Sequence, residues 1–351
     1  MSSHSIIEMT CPILTTANDT VLLGHGSGGK MSADLLRDVF LPELGNPVLS
    51  RLNDQAVVSI GESKIAMSTD SFVIKPLFFP GGDIGSLAVH GTVNDLAVGG
   101  ARPLFLSAAF VIEEGLPIDV LRRVAASMHR AADAAGVAIV AADTKVVERG
   151  KGDSLFINTT GIGTVQNGIE LAADKARPGD VVLLSGSIGE HGIAVLALRE
   201  GLEFETIIES DSAPLNGLCA EMIWASKAIR CMRDLTRGGL SSALNEIAAQ
   251  SHVGIELIES AIPVREEVRG ACEMLGLDPL YVANEGKLVA IVHPDVAEDV
   301  LRAMRSHPQG RQAAIVGRVT DSLAGLVTMK TALGTARIVD MLAGDQLPRI
   351  C

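Results

Sequence analysis

The chain is poor in aromatic residues and in positive charge. Phe, Trp and Tyr make up 3% of its 351 residues, with one Trp and one Tyr, and 29 Lys and Arg stand against 42 Asp and Glu, a formal charge of −13. A nucleic-acid binder needs a basic face and stacking rings, so no nucleic acid is expected as a partner. No run of about 18 apolar residues occurs, which excludes a membrane-spanning helix. The first 29 residues hold neither Lys nor Arg, so a secretory leader is not expected. Cys11, Cys219, Cys231, Cys272 and Cys351 stand far apart without a C-x-x-C pair. That spacing excludes a compact disulfide framework and a zinc site. No H-x-x-x-H pattern exists, and the histidines read as surface or capping residues rather than metal ligands. These absences together place the chain in a reducing cytoplasm.

What is present is an ordinary globular composition, 47% hydrophobic and 20% charged, with 36 glycines. The length suits two domains, each able to bury its own core. Turn and periodicity signals predict helices over 32–41, 84–98, 117–135, 190–200, 215–230, 240–251, 265–275 and 295–305. They predict strands over 55–60, 64–69, 103–112, 155–165, 181–185, 254–259, 287–293 and 313–319, and a buried strand over 137–142. Arg177-Pro178-Gly179-Asp180 punctuates the middle of the chain. Strands and helices alternate without regular parallel βαβ spacing, so the expected class is α+β in two domains.

Several segments could carry chemistry. Gly24-His25-Gly26-Ser27-Gly28-Gly29-Lys30 is either a backbone cradle for phosphate, with Lys30 as a point charge, or a flexible entry to the first helix. Its spacing is not that of a P-loop. Asp54, Asp70, Asp95 and Asp143 stand at strand or helix ends in one half of the chain. Each could be a turn residue or cap; converging, they would form a hard oxygen site for Mg²⁺. Gly238-Gly239, within Asp234–Leu240, opens a helix and is either an anion site or a plain helix entry. Glu285 in Asn284-Glu285-Gly286-Lys287 precedes a strand and by itself reads as a solvated loop residue. The chain ends Pro348-Arg349-Ile350-Cys351, so Cys351 is either a group carried on a swinging arm or part of an inert tail. The adjacent α-carboxylate disfavours its thiolate, so an activating site elsewhere in the fold would be needed.

Taken together, the glycine loop, Ser68–Asp70, Gly91–Leu96, Asp143–Gly150 and Asp234–Leu240 resemble the ATP-using superfamily of aminoimidazole ribonucleotide synthetase. Within it, Phe78–Gly85, Ala283–Leu288 and the terminal Pro348–Cys351 resemble the carbamoyl dehydratases of [NiFe]-hydrogenase maturation, the HypE family. The likeness runs from about residue 22 to the last residue. It implies an N-terminal arm over 1–41, an ATP-binding and dimerisation domain over 42–170, a second α+β domain over 171–335 and a mobile tail over 336–351. It implies a homodimer, with ATP and Mg²⁺ near the dimer interface. Asp54, Asp70, Asp95 and Asp143 would hold the metal; Gly28, Gly29, Lys30, Thr69, Asn94, Gly238 and Gly239 would line the nucleotide.

The implied activity is dehydration of an S-carbamoyl group on Cys351 to a thiocyanate. A HypF-type carbamoyltransferase would load the thiol and a HypC–HypD complex would receive the cyanide. An amide oxygen leaves only once activated, here by transfer of the γ-phosphoryl group, while a base removes the nitrogen proton. Glu285 is assigned as that base and Lys145 as its partner. Two other readings stay open: a selenophosphate synthetase-like enzyme, for which Cys11 is poorly placed, and a non-catalytic carrier that only presents Cys351. The chain departs from its relatives' usual pattern at Asn53, Lys75, His90 and Ala142.

Overall fold

The computed structural model describes residues 20–202, 204, 206–344 and 350–351. Cys11, residues 1–19 of the expected N-terminal arm and Pro348-Arg349 lie outside them. In the first half, a helical stretch runs through α1 (Lys30–Leu35) and α2 (Leu41–Leu44). It is followed by β1 (Ala56–Ile60), β2 (Ser63–Phe72) and a small hairpin of β3 (Phe78–Phe79) and β4 (Gly82–Asp83). Then come α3 (Ile84–Val98), β5 (Ala101–Glu113), α4 (Ile118–Ala135), β6 (Ala138–Val147) and β7 (Leu155–Val165). The sheet order is β1-β2-β7-β5-β6; its pairs are antiparallel except at the edge, where β6 runs parallel to β5.

The second half forms a seven-stranded sheet in the order β14-β13-β10-β12-β8-β11-β9. Its strands are β8 (Val181–Leu184), β9 (Ile229–Asp234), β10 (Gly254–Ile258), β11 (Leu288–Val292), β12 (Ala314–Thr320), β13 (Val327–Lys330) and β14 (Ala336–Ile338). Around it stand α5 (Glu190–Glu200), α6 (Asn216–Ala225), α7 (Gly239–Ser251), α8 (Glu266–Leu275) and α9 (Ala297–Ser306). Among the described residues no helix is long and apolar enough to cross a membrane.

Helix α3 is the element on which both halves close. Asp83 caps it, accepting from the N–H groups of Gly85 and Ser86 at 2.8 and 3.1 Å. From Ile84 onward the helix carries no charged residue before Asp95, so it has no side suited to water. The structure accordingly surrounds it with the first sheet, α4, α6 and β9, and Leu87, Val89, Val93 and Leu96 are fully buried. Asn94, 1% exposed, uses its whole amide across the two halves. Its Nδ2 donates to the carbonyls of Ala213 (3.1 Å) and Glu285 (3.3 Å), and its Oδ1 accepts from Leu215 N–H at 2.8 Å.

Three expectations fail at the level of elements. Strand β6 is exposed rather than buried, because it lies at the sheet edge and among the described residues no layer covers it; Val140 is 63% and Val146 66% exposed. Strand β9 falls partly inside the segment read as helix over 215–230, its apolar run being short and bounded by Arg and Asp. Strands β13 and β14 give no pattern to read, being three or four residues long and stabilised by pairing.

Asn94→Ala leaves the Ala213 carbonyl and the Leu215 N–H without partners and takes one of two donors from the Glu285 carbonyl, and should cost about 2–4 kcal/mol. Urea unfolding checks this, and a loss below about 0.5 kcal/mol would contradict it.

Candidate active site

The C-terminal ends of β2 and β9 and the last turn of α3 bring four carboxylates together. Asp54, Asp70 and Asp95 are half-buried and Asp234 is buried. Withdrawal from water pushes all four carboxyls above the usual range. In Asp95 the neighbouring Asp234, Asp70 and Asp54 add to that rise, and in Asp234 so do Asp54 and Asp70. Counter-charge comes from two arginines, Arg233 beside Asp54 and Asp234 and Arg237 beside Asp70. Arg233 pairs with Asp54 and with Glu246 (2.9 Å), and donates to the Leu52 carbonyl at 2.7 Å. Asp95 Oδ2 lies 2.5 Å from the Ser68 hydroxyl, while Asp234 Oδ2 is buried with no hydrogen-bond partner.

Beside this cluster lies a backbone cradle. Gly28 has φ +71° and Gly238 φ +80°, and the two loops touch: a Cβ on Gly238 would stand 3.0 Å from the Gly28 carbonyl and collide with Ser242 Oγ. Only glycine permits that approach with that backbone. Gly238 and Gly239 open the 13-residue helix α7, whose N-terminus is the positive end of its dipole. Arg237 ties the loops by donating to the Gly26 carbonyl at 2.5 Å. Gly29 and Lys30 meet the segment after β14: Lys30 N–H donates to the Leu342 carbonyl (2.8 Å) and its ammonium pairs with Asp340 (2.5 Å).

The third component is the chain end. Ile350 is 3% exposed and packs in one cluster with Phe72, Phe79 and Ala283; Cys351 lies half-buried against it. Cys351 neighbours the Glu285 carboxyl and the Arg237 guanidinium. Desolvation raises the thiol well above its usual range. Glu285 is 3% exposed and its Oε1 has no hydrogen-bond partner. Burial first, then Asp234, Asp211 and Asp70, hold its carboxyl well up. Asp211 sets the backbone there, accepting from Glu285 N–H and Gly286 N–H at 3.2 Å each and pairing with Lys287 at 3.0 Å. The other described cysteines are buried, with burial pushing Cys231 up to about 12 and Cys272 to about 11.

The structure thus brings together Asp54, Asp70, Asp95, Gly28, Gly29, Lys30, Gly238, Gly239, Glu285 and Cys351. It does not bring Asp143 or Lys145 to them within one copy. Both lie on the exposed strand β6, where Lys145 stands opposite Val111 of β5, so Lys145 is not beside Glu285. Thr69 is exposed on β2 and bonded within the sheet, to the Thr159 carbonyl and Thr160 hydroxyl. Asn94 has no polar atom left for a ligand and is a positioning residue. The histidine reading is corrected at two positions, because His90 and His191 are buried and hydrogen-bonded. Sequence reasoning misses Asp234, Arg233, Arg237, His191 and Asp211 as individual site residues; Asp234 ends a strand in the same way as Asp70, which is the available signal.

The site suits a polyphosphate with a divalent cation. Four crowded carboxyls with an unpartnered buried oxygen outnumber the two arginines, and the glycine cradle offers N–H donors to an anion. Among the described residues no three His, Cys, Asp or Glu side chains are grouped to hold an ion by themselves. Mg²⁺ commonly binds through one or two carboxylates, water and substrate phosphates, which such spacing allows.

Comparison with known proteins fits this geometry. Residues 52–165 match the N-terminal domain and residues 177–329 the C-terminal domain of AIR synthase related proteins. The carbamoyl dehydratase HypE of Azotobacter vinelandii is 57% identical over 338 residues, covering 96% of this chain and 99% of that protein. The crystal structure of a HypE–HypF complex contains a chain 51% identical with a TM-score of 0.84, covering 88% of this chain and 99% of that one. A HypE crystallised in complex with ATP is 51% identical with a TM-score of 0.80, covering 95% and 100%.

The clustered carboxyls bind protons more tightly folded than unfolded, so their protonation stabilises the fold and stability is lost as pH rises through their raised range. With a chelator present, the wild type should lose more melting temperature than Asp95→Asn between about pH 5 and about pH 8. Equal slopes in the two proteins would show that the cluster is not under charge strain.

Proposed function

The chain belongs to the HypE family of carbamoyl dehydratases, and from that premise we propose that it dehydrates an S-carbamoyl group on its own Cys351 to a thiocyanate, using ATP and Mg²⁺. The observation that carries this reading is the docked chain end, held through the Ile350 carbonyl with Cys351 beside the buried Glu285. Bound ATP supplies the phosphoryl group that makes the amide oxygen a leaving group, and Mg²⁺ neutralises phosphate charge.

The chain's own residues do the rest. Asp54, Asp70, Asp95 and Asp234 hold the cation, while the N–H groups around Gly28, Gly29, Gly238 and Gly239 hold phosphate oxygens, assisted by Lys30. Glu285 takes the proton from the carbamoyl nitrogen as the oxygen leaves. A carboxyl raised by burial is a stronger base than one in water once ionised, which suits that role. The positive charge of Arg237 acts on Asp70, Glu285 and Cys351 alike and offsets the anionic character that develops there. The apolar wall around Ile350 excludes water, which would otherwise take the phosphoryl group.

The proposal extends to partners. A HypF-type carbamoyltransferase loads Cys351, in keeping with the relative crystallised with HypF, and a HypC–HypD complex accepts the cyanide. All of this is placed in the cytoplasm, where the thiol stays reduced. The first sheet leaves Phe105, Ile162 and Met67 exposed side by side on one face, with Val140 exposed on the edge strand. We assign this face to a homodimer and propose that pairing carries Asp143 and Lys145 of β6 to the other copy's site, where Lys145 would stabilise the carbamoyl oxygen.

Intact mass spectrometry tests the chemistry. With carbamoyl phosphate, a HypF-type transferase, ATP and Mg²⁺, the chain should gain one carbamoyl group on Cys351 and then lose one water. Glu285→Gln should stop at the carbamoyl stage, at least about 100-fold slower in the second step; a full dehydration rate would remove Glu285 from the mechanism. Cys351→Ala should gain nothing. For the dimer, Val140→Asp should shift the sedimentation coefficient to that of a monomer, and an unchanged coefficient would reject the sheet face as the interface.

A further inference from the structure

Three consecutive residues between α5 and α6, Ser210-Asp211-Ser212, each tie to a different part of the molecule. Ser210 Oγ lies 2.7 Å from His191 Nδ1, and His191 Nε2 lies 2.7 Å from the carbonyl oxygen of Ile350. Asp211 accepts from the N–H groups of Glu285 and Gly286 and pairs with Lys287. The Ser212 hydroxyl lies 2.9 Å from His90 Nδ1, on α3. One short loop therefore reaches the tail through His191, and touches the backbone of the proposed base and the helix between the two halves.

The direction of the hydrogen bonds follows from the partners available. The Ile350 carbonyl can only accept, so His191 Nε2 carries the proton. Burial holds His191 neutral, so its Nδ1 is then an acceptor. Ser210 Oγ accepts the Ser212 N–H at 3.1 Å and sends its own proton to His191 Nδ1. The Ile350 carbonyl thus fixes the tautomer, and Ser210 supplies the donor that its bare Nδ1 needs. His191 is completely buried, and its ring stands edge-on to Phe79 with centroids 5.4 Å apart, so it has no freedom to turn away. Backbone packing fixes the loop as well: Ser210 N–H donates to the Pro80 carbonyl at 2.8 Å, and a Cβ on Gly81 would stand 2.6 Å from the Ser210 carbonyl oxygen. At the other end, a Cβ on Gly286 would collide with the Asp211 carbonyl oxygen.

We propose that Ser210-Asp211-Ser212 is a registration loop, with Ser210 and His191 as positioning residues that set Cys351 against Glu285 by holding the Ile350 carbonyl. The loop acts on both reacting partners from one short piece of backbone, through His191 on the tail and through Asp211 on the Glu285 backbone. This rests on the reading of Cys351 and Glu285 as the reacting pair, yet it predicts an effect on the tail that needs neither carbamoyl group nor ATP.

The test is the rate at which iodoacetamide alkylates Cys351 in the full chain without nucleotide, followed by peptide-resolved mass spectrometry. Ser210→Ala and His191→Ala should raise that rate about five- to tenfold, the effect of losing one buried hydrogen bond on the docked state. Ser210→Thr, which keeps the hydroxyl, and His191→Gln, which keeps an N–H for Ile350, should stay within about twofold of wild type. Dehydration of the carbamoylated chain should slow in the same order. Alkylation unchanged in both alanine variants, or raised equally in the conservative ones, would overturn the proposal. If instead Glu285→Gln dehydrates at full rate while the alkylation order holds, the dehydratase assignment of Glu285 fails and the registration loop stands.

Discussion

Repulsion among carboxylates held out of water is the constraint around which this molecule is arranged. Asp95 and Asp234 each carry the charge of their neighbours as well as the cost of burial, and Arg233 relieves mainly Asp54. A fold tolerates such a cluster only if its framework is stable enough to carry it. That framework is α3, enclosed on every side, and the second sheet, whose central strands β8 and β11 are almost entirely buried. The glycine cradle stands where a polyphosphate could bring the cation that discharges the strain. Binding and folding are therefore linked through one set of carboxyls.

The fold is largely legible where pattern and burial coincide. Helix α4 follows a polar–apolar stripe after a proline, and β7 alternates buried and more exposed residues along its length, so both stand out. The failures occur where tertiary context replaces pattern. Strand β6 has an apolar sequence that reads as interior, yet among the described residues nothing covers it; a second copy would, if the sheet faces pair as proposed. Strand β14 has only three residues and exists because β13 offers a free edge.

Much of the site is legible through motifs, and less through chemistry. Asp70 and Asp95 read equally well as turn residues, and only the fold shows them facing Asp54 and Asp234. Lys145 cannot be placed from sequence because its strand carries it away from Glu285 in the same copy. His191 misleads for a different reason: a histidine flanked by glutamate and glycine suggests a helix entry, while its two hydrogen-bond partners, Ser210 and Ile350, come from distant positions in the chain. Spacing rules see only local partners.

The docked Ile350 carries a kinetic consequence. A chain end that is loaded by one protein, modified in its own pocket and emptied at another, as proposed for Cys351, has to leave that pocket twice in each cycle. Each departure breaks the bond to His191 and brings a buried isoleucine into water. A grip that is too weak leaves the thiol seldom in place for chemistry, and one that is too strong makes release the slow step. Throughput therefore peaks at intermediate retention, and a single aliphatic side chain next to the reactive thiol sets where on that curve the protein operates.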